Sequence, residues 1–140
     1  MIKDTHTVYL ALGTNLGDKN VNLLIAIAKI AEKIGIFSAV SSVYETEAWG
    51  YSSENTFLNM VVKVETTLQP LELLEVTQAI EKKIGRTEKT KTTYQDRIID
   101  IDILLYDDLK YQSEKLTIPH PHYRERPFVW EPLQEIFCIL

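Results

Sequence analysis

The sequence predicts an α+β fold in which helices cover one face of an antiparallel sheet. Four segments alternate apolar and polar residues as strands do, and two longer segments repeat apolar residues at helical spacing. They follow one another as strand, helix, strand, strand, helix and strand. This order is typical of the split βαβ, or ferredoxin-like βαββαβ, sandwich, in which both helices lie on the same face.

The first half of the chain predicts a strand, a helix and a second strand. The first strand covers residues 8–12 and ends at Gly13, and the first helix covers residues 20–34. Gly35 is predicted to end this helix, because glycine is common just after a helix. The second strand covers residues 40–44.

The second half begins with a polar segment, residues 45–56, that is predicted to be a loop. Phe57–Thr66 resumes strict alternation and predicts the third strand. Pro70 suits the first turn of a helix, and this second helix is predicted to end near Gly85. The fourth strand lies within residues 97–106, and a tail with several prolines follows it.

Two aspartates, Asp100 and Asp102, lie inside the otherwise apolar fourth strand. Strand side chains alternate between faces, so both carboxylates point the same way from Cα atoms roughly 6.6 Å apart. Strand parity predicts that they share the helix-free face with Phe57 and Asn59. Adjacent carboxylates repel each other unless a cation neutralises them, and oxygen ligands suit Mg²⁺ bound together with phosphates. A metal site is one interpretation, and a solvated acidic strand face is the other.

Composition argues against several broad roles. The formal net charge of −5 does not favour general binding of nucleic acid or of a membrane surface. Cys138 is the only cysteine, so an internal disulfide is impossible. The sequence shows neither a secretory signal nor an apolar run of membrane-spanning length. We expect a cytoplasmic protein with one domain over residues 1–140.

Arginines near the acidic strand are candidate phosphate ligands, because a guanidinium group binds phosphate oxygens in a bidentate way. They are Arg86, Arg97, Arg124 and Arg126, and each by itself also fits an ordinary surface arginine. The chain has no Gly-x-x-x-x-Gly-Lys-Ser/Thr loop, so a nucleotide would depend on arginines and Mg²⁺.

Three further features have both a functional and a structural interpretation. The turn at residues 13–18 could bind phosphate at a helix start, or it could be only a tight strand-to-helix connection that needs glycine. His120 and His122 form a poor zinc set, so His120 is interpreted as a phosphate or hydrogen-bonding residue, or as a structural one. Gln78 and Glu81 share one side of the second helix, which could be an ordinary exposed polar face.

Several motifs occur together along nearly the whole chain. They are Leu-Gly-Thr-Asn-Leu-Gly-Asp at 12–18, Phe-Leu-Asn at 57–59, Glu81 with Gly85 and Arg86, Arg-Ile-Ile-Asp-Ile-Asp-Ile-Leu-Leu-Tyr at 97–106, and Ile-Pro-His-Pro-His-Tyr-Arg-Glu-Arg-Pro-Phe-Val at 118–129. In this combination the chain resembles the 6-hydroxymethyl-7,8-dihydropterin pyrophosphokinase family of folate biosynthesis. The resemblance implies a ferredoxin-like fold with the active site on the face opposite the helices. It also implies transfer of the β,γ-pyrophosphoryl group of ATP to the pterin hydroxymethyl group, with Mg²⁺ and with release of AMP.

The resemblance also implies roles for individual residues. Asp100 and Asp102 match the ligands of two Mg²⁺ ions, and Arg86 and Arg97 join them as catalytic residues. The implied ATP-binding positions are Gln78, Glu81, Arg86, Arg97, Ile103, Thr117, His120 and Arg126. The implied pterin-binding positions are Thr46, Ala48, Phe57, Asn59, Asp100 and Phe128.

The implied pterin pocket has two aromatic walls and a polar edge. The flat ring would stack between Phe57 and Phe128, and the amide of Asn59 would bond to its edge. The partners are then small molecules, ATP and 6-hydroxymethyl-7,8-dihydropterin, and a monomer is expected.

The chain departs from the family just before the acidic strand, where the usual sequence is Trp-Gly-Pro-Arg. Residues 94–97 are Tyr-Gln-Asp-Arg, so Tyr94 stands where a pterin-capping tryptophan is usual. Glu88 replaces the second arginine of the common Gly-Arg-x-Arg, and Lys89 or Lys91 could supply its charge.

Two other functions fit the same predicted fold. A palm-type nucleotidyl transferase or cyclase also sets two aspartates on such a sheet, but it attacks the α-phosphorus and releases pyrophosphate. A ligand-binding module would bind a small molecule without consuming ATP. Fold analogy alone does not separate these functions, whereas AMP as a product does.

Overall fold

The computed structural model describes residues 5–47, 56–85 and 98–137, which form seven strands and three helices. In chain order they are β1 (His6–Thr14), α1 (Lys19–Lys33), β2 (Gly35–Val40), β3 (Tyr44–Thr46), β4 (Phe57–Thr66), α2 (Pro70–Ile84), β5 (Asp100–Tyr106), β6 (Tyr111–Gln112), β7 (Thr117–Ile118) and α3 (Pro127–Phe137). None of the helices in these ranges is long and apolar enough to cross a membrane.

The main sheet is antiparallel and has the strand order β2-β4-β1-β5, with β3 also paired to β4. The two central strands, β1 and β4, are apolar along most of their length, as expected for strands covered on both faces. The short strands β6 and β7 form a separate hairpin that follows β5 in the chain.

Helices α1 and α2 pack on one face of the sheet. Their buried side chains, among them Ile30 and Leu73, form one apolar core with alternate residues of β1, β4 and β5, such as Leu10, Val62 and Ile103. Burying apolar side chains of this size is worth about 1.5–3 kcal/mol for each one. Both early helices thus share one apolar core with the sheet.

The opposite face carries α3, so the prediction that this face is free of helices is wrong. Val129, Leu133 and Ile136 of α3 pack there against Tyr9 and Val61. The sequence analysis treated this region as a proline-containing tail. Pro127 occupies the first position of the helix, where proline is tolerated, and Pro132 lies buried inside the helix. Burial of the apolar stripe outweighs the unfavourable helix propensity of the inner proline.

The predicted second strand at 40–44 is replaced by two strands, β2 and β3, with a break between them. At the break, the backbone N–H of Ser41 donates to the oxygen of Val61 at 2.9 Å, and the N–H of Val61 donates to Ser41 Oγ at 2.9 Å. A side-chain hydroxyl thus takes one place in the ladder between β2 and β3, both of which pair with β4. Part of the predicted loop is thus the strand β3.

Gly35 follows the end of α1 as predicted, because the helix ends at Lys33 with Ile34 as its C-cap, and Gly35 is already the first residue of β2. A Cβ at Gly35 would lie 1.9 Å from the carbonyl oxygen of Glu65, so the close approach of β4 requires glycine here. The predicted bounds of β4 and α2 are also confirmed. Helix α2 begins at Pro70 and is capped by Gly85, which has a φ of 145°.

Candidate active site

The two aspartates occupy the first and third positions of β5. Asp100 lies opposite Gly13 of β1 and Asp102 lies opposite Ala11, and both aspartates are half-buried. The alternating residues Ile101 and Ile103 are buried in the core beneath α1 and α2. The predicted alternation is thus confirmed, and both carboxylates lie on the other side of the strand from that core.

Glu81 of α2 anchors the acidic strand between the two aspartates. Its side chain is only 6% exposed, and its Oε2 accepts the backbone N–H of Ile101 at 2.7 Å. This carboxylate therefore does not belong to an exposed polar face, which was the alternative interpretation. Because the bond ends at the residue between Asp100 and Asp102, it fixes the backbone from which both carboxylates project.

A cavity of about 440 Å³ lies beside this strand. It is lined by both aspartates and by every implied ATP-binding residue in the described ranges: Gln78, Glu81, Ile103, Thr117, His120 and Arg126. These residues come from α2, from β5 and from the segment that begins at β7. The fold thus gathers into one cavity residues that lie up to 52 positions apart in the chain, from Leu74 to Arg126.

The sequence analysis missed other residues that line the cavity. They are Leu74, Ile101, Glu114, Lys115, Leu116 and Pro121. Glu114, Lys115 and Leu116 belong to the turn of the β6–β7 hairpin, whose strands have only two residues each. Such short strands show no alternation, so no pattern signalled that this turn would reach the cavity. Lys115 places a second cationic side chain in the lining, besides Arg126.

His120 is held as a neutral hydrogen-bonding residue. Burial, with smaller effects of Arg126 and His122, lowers the pKa of His120 from 6.5 to about 4. The backbone N–H of His120 donates to the oxygen of Leu104 in β5 at 3.0 Å, and Nδ1 accepts the backbone N–H of His122 at 3.4 Å. With Nδ1 as an acceptor, the proton of the neutral ring lies on Nε2, which can donate to a ligand oxygen.

The two arginines of the tail have different surroundings. Arg126 is only 8% exposed, lines the cavity, and has its guanidinium carbon 6.0 Å from the centre of the Phe128 ring. Arg124 is exposed and lies 5.7 Å from the ring centres of both Tyr123 and Trp130. The structure therefore places Arg126 beside the cavity, and it places Arg124 in a cation–π cluster outside the lining.

Three of the implied pterin-binding residues lie where β3 pairs with β4. Thr46 pairs with Phe57, and the Nδ2 of Asn59 donates to Thr46 Oγ1 at 2.7 Å. Asn59 lies opposite Gly13, which in turn lies opposite Asp100. We call this cross-strand row the Asn59–Gly13–Asp100 row. It connects the amide of Asn59 to the acidic strand that lines the cavity.

Gly13 keeps the middle of this row open. A Cβ at this position would lie 3.0 Å from Asn59 Oδ1 and 3.7 Å from the ring carbon Cδ1 of Phe57. The backbone of Gly13 does not have a positive φ, so space rather than conformation requires glycine here. The sequence analysis placed Gly13 at the end of a strand and at the start of the turn at residues 13–18, and it did not foresee this close approach to Asn59.

Several polar groups of the turn at residues 13–18 are bonded to the start of α1. Asp18 caps α1 by accepting the N–H of Val21 at 3.2 Å, and Asn22 Nδ2 donates to Thr14 Oγ1 and to the oxygen of Leu16. The turn does not contribute to the lining of the described cavity. The structural interpretation of this turn is therefore favoured over phosphate binding.

Several implied residues lie outside the described part of the chain. They are Ala48, Arg86 and Arg97, together with Tyr94, Glu88, Lys89 and Lys91. Their roles stay predictions.

Residues 9–138 match the model of the 7,8-dihydro-6-hydroxymethylpterin-pyrophosphokinase family. The chain belongs to this family. It is 45% identical over 131 residues to a 2-amino-4-hydroxy-6-hydroxymethyldihydropteridine pyrophosphokinase of Porphyromonas gingivalis, and the match covers 92% of this chain and 89% of the relative. It is 43% identical over 129 residues to the Bacillus subtilis enzyme of the same name, covering 91% of this chain and 76% of the relative. These relatives confirm the resemblance found in the motifs.

Solved structures also share the fold. A crystal structure of Plasmodium falciparum HPPK-DHPS matches with a TM-score of 0.72 at 19% identity, covering 94% of this chain. This chain spans only 42% of that longer one. At this identity the match shows a shared fold, and it adds nothing about ligands.

Proposed function

We propose that the cavity and the Asn59–Gly13–Asp100 row together form the active site of a pyrophosphokinase of folate biosynthesis. The enzyme transfers pyrophosphate from ATP to 6-hydroxymethyl-7,8-dihydropterin and yields AMP and the pterin pyrophosphate. One observation carries the assignment of the site: Asp100 belongs both to the cavity lining and to the row that contains Asn59. A nucleotide in the cavity and a pterin at the row would therefore meet at the acidic strand.

The strand order and the helix positions support the finer fold assignment. Four strands in the order β2-β4-β1-β5, with α1 and α2 on one face, correspond to the ferredoxin-like βαββαβ arrangement. The active site would then lie along the edge strand β5, where the cavity is lined both by α2 of the helix-covered face and by the two aspartates of the opposite face.

The acidic pair fits Mg²⁺. Asp100 and Asp102 offer hard carboxylate oxygens on one side of a strand, which suits this ion. Within residues 5–47, 56–85 and 98–137, no three His, Cys, Asp or Glu side chains are grouped closely enough to hold a metal. Mg²⁺ commonly takes one or two carboxylates and completes its shell with substrate phosphates and water, so this donor set is sufficient. When bound, two ions would neutralise phosphate charge.

The other cavity residues would bind and orient the triphosphate. Arg126 would neutralise phosphate oxygens, and the Nε2–H of neutral His120 would donate to an oxygen of the nucleotide. Glu81 would hold the acidic strand in place through Ile101. Most of the rate enhancement would come from positioning and electrostatic stabilisation, as is usual for phosphoryl transfer.

The pterin would lie at the row, against β3 and β4. Asn59 is 4% exposed, and its amide can both donate and accept, which suits the edge of a pterin ring. Phe57 and Phe128 would provide the stacking walls. The hydroxymethyl oxygen would attack the β-phosphorus of ATP, so that an O–P bond forms while the bond between the β-phosphorus and its bridging oxygen to the α-phosphorus breaks.

A product assay tests this proposal. The purified chain is incubated with ATP, Mg²⁺ and the reduced hydroxymethylpterin, and nucleotides are separated by chromatography. We expect AMP only when both Mg²⁺ and the pterin are present. Release of free pyrophosphate would instead indicate a nucleotidyl transferase, and pterin binding without ATP consumption would indicate a binding module. The expected single domain, monomeric state and cytoplasmic location stay predictions.

A further inference from the structure

We propose that Glu135 of α3 is a positioning residue that sets the distance between the two walls of the pterin pocket. The inference rests on the proposed function, because that function assigns Phe57 and Phe128 to the pocket as its walls. Thr46 of β3 pairs with Phe57. Glu135 itself does not line the described cavity.

Both carboxylate oxygens of Glu135 accept hydrogen bonds from the segment that leads into β3. Its Oε1 accepts from the hydroxyl of Tyr44 at 2.7 Å, and its Oε2 accepts from Ser42 Oγ at 2.8 Å. The backbone N–H of Ser42 is shared between both oxygens, at 3.1 and 3.0 Å. Hydrogen bonds to an ionised carboxylate are roughly twice as strong as neutral ones.

The segment on the other side of these bonds leads directly to the pterin pocket. Tyr44 is the first residue of β3 and pairs with Asn59, and Thr46 is its last residue and pairs with Phe57. Thr46 Oγ1 also accepts from Asn59 Nδ2 at 2.7 Å. A displacement of Tyr44 would therefore move the acceptor that orients the Asn59 amide.

The helix that carries Glu135 also carries the second wall. Phe128 and Glu135 are seven residues apart in α3, about two helical turns, so they share one side of the helix. The carboxylate thus links the helix of Phe128 to the strand of Thr46. Ser41 holds the same segment to β4 through Val61, so Glu135 supplies its attachment to α3.

The charge of Glu135 is maintained by the same contacts. The hydroxyls of Tyr44 and Ser42, together with the Ser42 N–H, lower the pKa of Glu135, and burial opposes them only in part. Glu135 in turn raises the pKa of Tyr44. Near neutral pH the group is therefore a carboxylate that accepts from all of these donors.

The main test replaces Glu135 by Gln, which keeps the size of the side chain but puts an N–H donor where one oxygen accepts. We expect the KM for the pterin to rise about tenfold, while kcat and the KM for ATP stay within about a factor of two. Tyr44→Phe removes a single bond and should raise the pterin KM less. The double variant should be no worse than Glu135→Gln alone, because both changes break one connection.

Glu131→Gln is the matched control. Glu131 is an exposed carboxylate on the same helix and contributes a charge near Tyr44, so this change removes charge without removing the hydrogen bonds. It should leave the pterin KM unchanged.

An unchanged pterin KM in Glu135→Gln would overturn the inference. So would a parallel rise in both KM values with a lower Tm, since this would show a purely structural role. No AMP from the wild-type protein would instead refute the proposed function itself.

Discussion

Gly13→Ala should weaken pterin binding specifically, because the added methyl group enters the Asn59–Gly13–Asp100 row. The new carbon would lie 3.0 Å from Asn59 Oδ1. Carbon and oxygen approach without strain only to about 3.3 Å, so Asn59 must move by about 0.3 Å. Asn59 is buried and its Nδ2 donates to Thr46 at 2.7 Å, which opposes this movement.

The expected size of the effect follows from the displacement. Since a misplacement of about 1 Å in an active site can cost about 100-fold, a few tenths of an ångström should raise the pterin KM about three- to tenfold. Overpacking should lower the free energy of unfolding by about 1 kcal/mol. The KM for ATP should not change, because Gly13 does not line the cavity. AMP formation at varied pterin concentration measures the first effect, and urea denaturation measures the second.

Gly17→Ala is the control for this prediction. Gly17 has a φ of 72°, so alanine there costs about 1 kcal/mol of backbone strain, and its Cβ would lie 3.9 Å from Asn22 Nδ2, which is ordinary van der Waals contact. This variant should lose similar stability and keep the wild-type pterin KM. If the two alanine variants have equal pterin KM values, the row does not bind the pterin.

Three further predictions concern the acidic pair, an aromatic wall and a half-buried histidine. Asp100→Asn and Asp102→Asn should each abolish AMP formation while the free energy of unfolding in urea changes by less than about 2 kcal/mol; a larger loss would mean that the pair is structural. Phe128→Ala should weaken pterin binding by about 1–3 kcal/mol in calorimetry and leave ATP binding unchanged, and loss of ATP binding would show that the two pockets are wrongly assigned. The pKa of His120 is lowered from 6.5 to about 4, so the unfolded chain binds a proton there before the folded chain does. Stability should therefore fall as the pH drops from 6.5 towards 4, and His120→Gln should reduce this fall in urea unfolding; an equal pH dependence in both proteins would contradict it.

The parts of the fold that were predicted correctly are those governed by local signals. β4 alternates strictly along its length, and α2 has Pro70 at its start and Gly85 at its end. The break between β2 and β3 depends on a bond from Ser41 to a distant strand, which no local pattern encodes. Helix α3 was missed because its prolines argue against a helix, although its apolar stripe is buried.

The candidate site divides in a similar way. The Asp100 and Asp102 pair could be placed on one face from strand alternation alone. The burial of Glu81 could not be predicted in this way, because helical periodicity identifies a polar side of the helix but does not say what packs against it. The β6–β7 turn reaches the cavity only through the tertiary fold. The resemblance, rather than periodicity, associated His120 and Arg126 with the nucleotide, and both line the cavity with Glu81.

The position of phosphorus attack is the most direct test of the central claim. The enzyme is supplied with Mg²⁺, the reduced hydroxymethylpterin, and ATP labelled with radioactive phosphorus at either the α or the γ position, and the pterin product is then isolated. The account predicts that the γ label enters the pterin product and that the α label stays in AMP. Appearance of the α label in the pterin product would contradict it, because attack would then occur at the α-phosphorus.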